Sequence, residues 1–123
     1  MTHVNDATRA LIQSYEQCHL NAYLDAVGVW TIGWGTTSRA GVGISPRAGM
    51  TITQAQADAY FEATLEKFGA EMDRLITRPI NENQRGGYLS FVYNVGSANF
   101  ATSSSLRQFN AGNVQDAADR LRL

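Results

Sequence analysis

The sequence of 123 residues is short of the residue types that mark several classes of protein. Cys18 is its only cysteine, which excludes an internal disulfide and a CxxC metal site. Lys67 is its only lysine, and the formal net charge of -1 leaves no strong field to attract DNA or an acidic membrane. No apolar run approaches the length of a membrane span, and the N-terminus lacks the basic start of a secretory signal. The composition is that of one globular domain over residues 1–123.

The N-terminal part predicts a helix followed by a β-rich segment. Asp6 is a suitable cap, and apolar side chains recur after it at helical spacing, so we expect a first helix over residues 6–20. Residues 21–50 are rich in glycine and predict turns with short extended pieces. The clearest strand covers residues 29–34.

Residues 51–123 predict a helical lobe. Thr53 and Gln56 have the spacing of a capping box, so a long helix, or a pair of helices, should run from there to about residue 76. Asn81 is expected to cap another helix, which ends at Gly96. Two short helices follow, over residues 103–110 and 114–122. The predicted fold class is α+β, mostly helical with a small β-rich insert near the N-terminus.

Three polar residues lie around the junction between the first helix and the β-rich insert. Glu16 is in the last turn of the predicted helix, Asp25 is at the first turn of the insert, and Thr31 is inside the strand. Glycoside hydrolysis needs one protonated carboxyl and one ionised carboxylate. The negative end of the helix dipole and partial burial would both raise the pKa of Glu16, whereas a solvated Asp25 would stay ionised. Spacing alone also fits ordinary surface carboxylates, so the flanking residues decide.

Four blocks of sequence surround and follow these residues. They are YE at 15–16 with AYLD at 22–25 and GVWTIGWG at 28–35; TITQAQAD at 51–58; NQ at 83–84 with SFVYNVG at 90–96; and SSSL at 103–106 with NAG at 110–112. Together they resemble the phage lysozymes of glycoside hydrolase family 24, from about Asp6 to the last residue. The first block is the most specific of the four.

The resemblance implies a two-lobe lysozyme-like fold with a saccharide cleft. It implies hydrolysis of the β-1,4 bond between N-acetylmuramic acid and N-acetylglucosamine in bacterial peptidoglycan, for host cell lysis, with no cofactor or metal. Glu16 takes the role of general acid. Asp25 and Thr31 position and activate the water or stabilise the glycosyl centre, in a family generally regarded as inverting.

Two further residues are candidates for substrate binding. Trp30 and Trp34 could each stack on a sugar ring or pack in the core, and we favour Trp34 for the cleft. Asn94 matches a family position that faces the cleft, where an amide can bind an acetamido group. The alternative for Asn94 is an ordinary residue at a helix end.

The sequence departs from the family pattern in three places. Gln17 and Thr36 stand where the family usually has glycine and histidine. Family members also continue into a tryptophan-bearing segment and a basic terminal helix, so we expect the helical lobe to be incomplete, its apolar surface exposed, covered by another chain or closed differently. The oligomeric state stays open. The expected location is the host cytoplasm, with release to the periplasm or cell wall by another factor.

Other hypotheses compete with an active muramidase. A catalytically impaired lysozyme-like protein would bind glycan or a partner without cutting. A helix-turn-helix over residues 53–68 would bind DNA, but the balanced charge argues against it. A lytic transglycosylase would need no positioned water, so Asp25 and Thr31 favour a hydrolase.

Overall fold

The computed structural model describes residues 4–121, so the end of the helix predicted over residues 114–122 lies outside the described part. Helices form most of this part, and two strands form a small antiparallel sheet near its start. The elements are α1 (Asp6–Tyr15), β1 (His19–Leu24), β2 (Trp30–Gly33), a 3-10 turn (Ser38–Ala40), α2 (Gln54–Leu75), α3 (Glu82–Val95), α4 (Ser97–Ala101), α5 (Ser104–Asn110) and α6 (Val114–Arg120). The predicted α+β fold class is confirmed.

Helix α1 is shorter than the sequence predicted. Asn5, and not Asp6, caps its start, with Oδ1 accepting a hydrogen bond of 2.8 Å from the backbone N–H of Thr8. The helix ends at Tyr15, because Glu16 takes an extended conformation (φ -102°, ψ 139°). The prediction of a helix over residues 6–20 is therefore wrong at its end, since residues 19–24 satisfy their backbone groups by pairing with distant strand residues.

Strand β1 has backbone partners on both of its edges. Tyr23 pairs with Thr31 of β2 in antiparallel register. On the other edge, the N–H of Ala22 donates to the carbonyl of Met50 at 2.9 Å, so residues before α2 extend the sheet locally. Strand β2 is shorter than the predicted strand over residues 29–34, because Gly33 turns the chain with a φ of +64°.

The predicted capping box at the start of α2 is present, and the predicted cap Asn81 also forms one. The Thr53 hydroxyl accepts from the N–H of Gln56 at 3.1 Å, and the Gln56 side chain accepts from the N–H of Thr53 at 2.9 Å. The same reciprocal pair joins Asn81 and Gln84 at the start of α3. Helix α2 is one continuous helix.

Helix α4, which follows Gly96 directly, was not predicted from the sequence. No helix within residues 4–121 is long and apolar enough to cross a membrane.

The hydrophobic core lies in the helical lobe and is rich in aromatic rings. Tyr88 of α3 packs against Phe100 and Phe109, with ring centroids 5.3 Å and 5.6 Å away. The buried members of the core are Val4, Ile12, Phe61, Leu65, Met72, Tyr88, Leu89, Val92, Phe100, Leu106, Phe109 and Ala117. Burial of these side chains holds α2 and α3 together and fixes the frame on which the N-terminal elements rest.

Two close backbone approaches attach the N-terminal elements to this frame. A Cβ at Gly86 of α3 would lie 2.5 Å from Oγ1 of Thr8, so only glycine permits the observed packing of α1 on α3. A Cβ at Gly33 would lie 3.4 Å from Cβ of Ala57, which places the end of β2 directly on α2. Together these contacts set where Glu16 and the hairpin stand relative to the lobe.

We expect Leu65→Ala to lower the free energy of unfolding by about 2–5 kcal/mol, because the fully buried side chain would leave a cavity. Leu20→Ala is the matched control, since Leu20 is 37% exposed, and its loss should be much smaller. Urea denaturation of both variants measures the difference. Equal losses would contradict the placement of the core in the helical lobe.

Candidate active site

A cleft of about 630 Å³ lies between the β hairpin and the helical lobe. The end of α1, the hairpin, α2 and the junction of α3 with α4 form its walls. Glu16, Asp25, Thr31 and Asn94 all line it, so the fold brings four of the five predicted site residues to one cavity. Among the described residues, no group of three His, Cys, Asp or Glu side chains could hold a metal ion.

Glu16 occupies the position immediately after the last residue of α1. Its N–H still bonds to the carbonyl of Ile12 at 3.2 Å, which fixes the backbone that carries the side chain. The carboxyl is half-buried, and this burial raises the pKa of Glu16 above its ordinary value. Burial therefore accounts for the raised pKa of Glu16 in the structure, whereas the sequence suggested both burial and the helix dipole.

The backbone of Gly35 lies against the Glu16 carboxyl. A Cβ on Gly35 would lie 2.9 Å from Oε2 of Glu16 and 3.2 Å from its carboxyl carbon. The backbone of Gly35 therefore lies where water would otherwise hydrate the carboxyl. Its φ of +84° is a second reason for glycine at this position.

Asp25 begins a tight turn that its own side chain stabilises. Oδ1 accepts hydrogen bonds from the backbone N–H groups of Val27 at 2.9 Å and Val29 at 2.8 Å. Asp25 lines the cleft, and its other carboxylate oxygen, Oδ2, has no hydrogen-bond partner among residues 4–121. The turn therefore holds the carboxylate in place through one oxygen and leaves the other for a ligand or water.

Thr31 lies beside Tyr23 on the hairpin, because directly paired residues of an antiparallel sheet share a face. Thr31 is buried, and its hydroxyl donates to the carbonyl of Val29 at 3.0 Å. The hydroxyl oxygen can still accept a hydrogen bond from a water. Burial, then the charge of Glu16 and then that of Asp25 raise the pKa of Tyr23, which lines the same cleft as both carboxyl groups.

Trp34 is not among the described residues that line the cleft, contrary to the sequence-based expectation. Its indole N–H donates to Oδ1 of Asp58 at 2.9 Å, and its ring packs against Phe61 with centroids 6.0 Å apart. The expectation assumed a strand through residue 34. The turn at Gly33 ends that strand and directs the ring toward α2 instead.

Tyr93 is a cleft residue that sequence reasoning missed. It lines the cleft from the last turn of α3, and its hydroxyl donates to the backbone carbonyl of Trp34. Burial, then the charge of Glu16 and then that of Tyr23 raise the pKa of Tyr93, so it remains a protonated phenol. Its neighbour Asn94 is exposed at the cleft. The only available signal was its place beside Asn94 in the third sequence block.

The two side-chain departures from the family pattern have different consequences. Gln17 needs no left-handed conformation, since no residue other than glycine has a positive φ in the described chain. Thr36 is almost fully buried, and its hydroxyl oxygen has no hydrogen-bond partner among the described residues. An unsatisfied buried hydroxyl costs stability, so this replacement bears on the stability of the fold.

A second groove, of about 500 Å³, lies on the other side of Glu16. Helices α1 and α3 form it, and Leu121 stands at its edge. Tyr15 lines this groove and is 76% exposed, the second largest exposure among the exposed large hydrophobic residues of the described chain.

Comparison with known proteins defines the class to which this fold and cleft belong. The chain is 32% identical over 116 residues to the endolysin of Acyrthosiphon pisum secondary endosymbiont phage 1, covering 94% of this chain and 75% of that protein. It is 40% identical over 100 residues to the SAR-endolysin of Enterobacteria phage PA-2, covering 81% of this chain and 58% of the relative. A crystal structure of a P22 lysozyme mutant matches with a TM-score of 0.77 at 33% identity, covering 98% of this chain and 82% of that one.

The fold is therefore that of the lysozyme-like glycoside hydrolases. The family model described as phage lysozyme matches residues 13–123, and the chain belongs to that family. The chain spans 58% of the length of one of these curated relatives and 75% of the other.

We expect Gly35→Ala to reduce activity sharply, because the new methyl group would collide with the Glu16 carboxyl. Gly49→Ala is the matched control: Gly49 has a similar φ of +81°, but a Cβ there would meet nothing within 4 Å. Both variants place alanine at a similar positive φ. Peptidoglycan turbidity assays together with thermal unfolding separate the two effects, and equal loss of activity in the two variants would show that contact with Glu16 is unimportant.

Proposed function

We propose that this chain is an endolysin that hydrolyses the β-1,4 bond between N-acetylmuramic acid and N-acetylglucosamine in bacterial peptidoglycan. The observation that carries the proposal is the pair of carboxyl groups in one cleft, each in a different environment. Glu16 is half-buried against Gly35, whereas backbone N–H groups hold Asp25 in a turn. Glycoside hydrolases need this kind of difference between an acid and an ionised carboxylate.

Glu16 acts as the general acid in this proposal. Its raised pKa keeps a larger fraction of the carboxyl protonated near neutral pH than an exposed glutamate would keep. As the bond between the anomeric carbon and the bridging oxygen breaks, Glu16 gives its proton to that oxygen, which leaves as a hydroxyl. The covered position of Glu16 therefore favours protonation of the leaving oxygen.

Asp25 and Thr31 direct a water molecule to the anomeric carbon. The unpartnered Oδ2 of Asp25 accepts a proton from the water, whose oxygen forms the new bond to that carbon. The hydroxyl of Thr31 orients the same water by accepting a second hydrogen bond. Attack from the face opposite the leaving oxygen inverts the anomeric configuration, as the family resemblance leads us to expect.

Asn94 is our candidate for substrate binding. It is exposed at the cleft, where its amide can donate to and accept from the acetamido group of a sugar. Trp34 supports the wall behind the cleft and receives no role in sugar stacking. We further propose that the enzyme acts on the host cell wall at lysis, after another factor brings it there from the cytoplasm.

We expect Glu16→Gln to lower the rate of peptidoglycan hydrolysis by about 10²–10⁴-fold, because general acid catalysis is typically worth that much. Asp119→Asn on α6 is the matched control, since Asp119 is exposed and outside the cleft lining, and it should retain full activity. The assay measures clearing of purified Gram-negative peptidoglycan and identifies the products by mass spectrometry.

Each outcome of this assay separates the hypotheses. Reducing N-acetylmuramic acid ends support the hydrolase, and anhydromuramic products would instead indicate a lytic transglycosylase. No clearing by the unaltered chain, together with its sedimentation on the glycan, would indicate a binding protein. Residual activity of the Glu16→Gln variant above about one per cent would argue against Glu16 as the general acid.

The same substitution has a predicted effect on stability. Burial raises the pKa of Glu16 in the folded state, so as pH rises the unfolded chain loses this proton before the folded chain does. The free energy of unfolding of the wild type therefore falls as pH rises from the unfolded-state pKa, about 4.3, through the folded-state pKa. Glu16→Gln cannot ionise and should be at least as stable as wild type at neutral pH, with no such advantage in acid. Thermal unfolding at neutral and at acidic pH tests this. A variant that is less stable than wild type by the same amount at both pH values would contradict the prediction.

A further inference from the structure

Trp34 is held at two points by partners from two different helices. Its indole N–H donates to Asp58 in the first turns of α2. Its backbone carbonyl accepts from the hydroxyl of Tyr93 at the end of α3. Because the side chain and the main chain are both bound, the residue that follows Trp34 has little freedom to move.

That following residue is Gly35, the wall of the Glu16 carboxyl. A Cβ added to Gly35 would lie only 2.9 Å from Oε2 of Glu16, so the Gly35 backbone faces the carboxyl at close range. A small outward movement of the peptide between residues 34 and 35 would admit water to the carboxyl. The two hydrogen bonds to Trp34 oppose that movement.

The ring of Tyr93 is well placed to make the second of these bonds. It packs edge-on against Phe61 and Phe68, with centroids 5.6 Å and 6.3 Å away. The aromatic contacts fix the ring, so the hydroxyl reaches the Trp34 carbonyl from a rigid base. Removing only the hydroxyl would leave this packing in place.

We propose that Tyr93 is a positioning residue, which holds the Trp34–Gly35 backbone against the Glu16 carboxyl and thereby keeps water away from it. This inference rests on the proposed role of Glu16 as general acid. It assigns the Tyr93 hydroxyl no contact with substrate. Its effect passes through the Trp34 carbonyl to the Gly35 wall.

Charged and titratable groups reach the surroundings of Glu16 from every neighbouring element. They are Tyr15 from α1, Tyr23 and Asp25 from the hairpin, Arg39 from the 3-10 turn, Lys67 and Glu71 from α2, and Tyr93 from α3. Burial is nevertheless what raises the pKa of Glu16, and no neighbouring charge is among the causes of this shift. Movement of the Gly35 wall should therefore change this pKa more than loss of any one of these groups.

The test compares Tyr93→Phe with Tyr88→Phe. Tyr88 is also buried on α3, and its hydroxyl bonds to Oγ of Ser105 at 2.9 Å, away from the cleft. Both variants lose the hydrogen bonding of a tyrosine hydroxyl, which for Tyr88 includes a second bond to the Ser105 carbonyl at 3.2 Å, and both keep the ring. The measurements are the pH profile of peptidoglycan hydrolysis and the titration of Glu16 by NMR of labelled glutamate carboxyl carbons.

We expect Tyr93→Phe to lower the pKa of Glu16 by about half a unit or more, because water regains access to the carboxyl. A general acid is active only when protonated, so the alkaline limb of the pH profile should move to lower pH by the same amount. Tyr88→Phe should lower the unfolding midpoint but leave both readouts unchanged. An unshifted Glu16 titration in a folded Tyr93→Phe variant would overturn the inference.

Asp58→Ala provides a second route if Tyr93→Phe does not fold. It removes the acceptor of the Trp34 indole from an exposed position, and it should shift the Glu16 titration in the same direction. The NMR readout needs no enzymatic activity. An inactive chain with a shifted titration would therefore refute the proposed function alone, and an active chain with no shift in either variant would refute the positioning role alone.

Discussion

The burial of one carboxyl group between three elements is the constraint on which the site depends. Glu16 follows the last residue of α1, Gly35 covers its carboxyl from the hairpin, and Tyr93 approaches it from α3. This arrangement requires α1 to lie close on α3, which the absence of a side chain at Gly86 permits. An isolated buried carboxylate is costly, so the fold favours the protonated acid that cleavage of a glycosidic bond needs.

The hairpin gives the second carboxyl a contrasting environment. Asp25 accepts two backbone hydrogen bonds through one oxygen, which stabilises the turn and orients the side chain toward the cleft. The same hairpin carries Thr31 and leads into Gly35. One short sheet therefore holds the groups proposed to direct water and also the wall that covers the acid. A change in the hairpin would affect both the proton donor and the groups that direct the water.

Helical elements with local signals could be predicted from the sequence, and elements that depend on distant partners could not. The capping boxes at Thr53 and Asn81 involve residues only three apart, so their helices begin where predicted. The first two residues of β1 were predicted as the end of a helix, because the pairing partners of this strand lie in β2 and near Met50. Among the candidate site residues, Trp34 was placed in the cleft by strand alternation, and a glycine turn ended that alternation one residue earlier.

The sequence by itself determined the helical lobe, the family and the identity of the polar residues that meet in the cleft, because all of these follow from local patterns and recognisable blocks. Only the tertiary structure decided the environment of each residue. Burial of Glu16 beside Gly35 and the hydrogen bond from Tyr93 to Trp34 arise between residues far apart in the chain, whereas the turn that holds Asp25 is local. Proton affinity depends on solvation and neighbours, so it is set only when the lobes and the hairpin have come together.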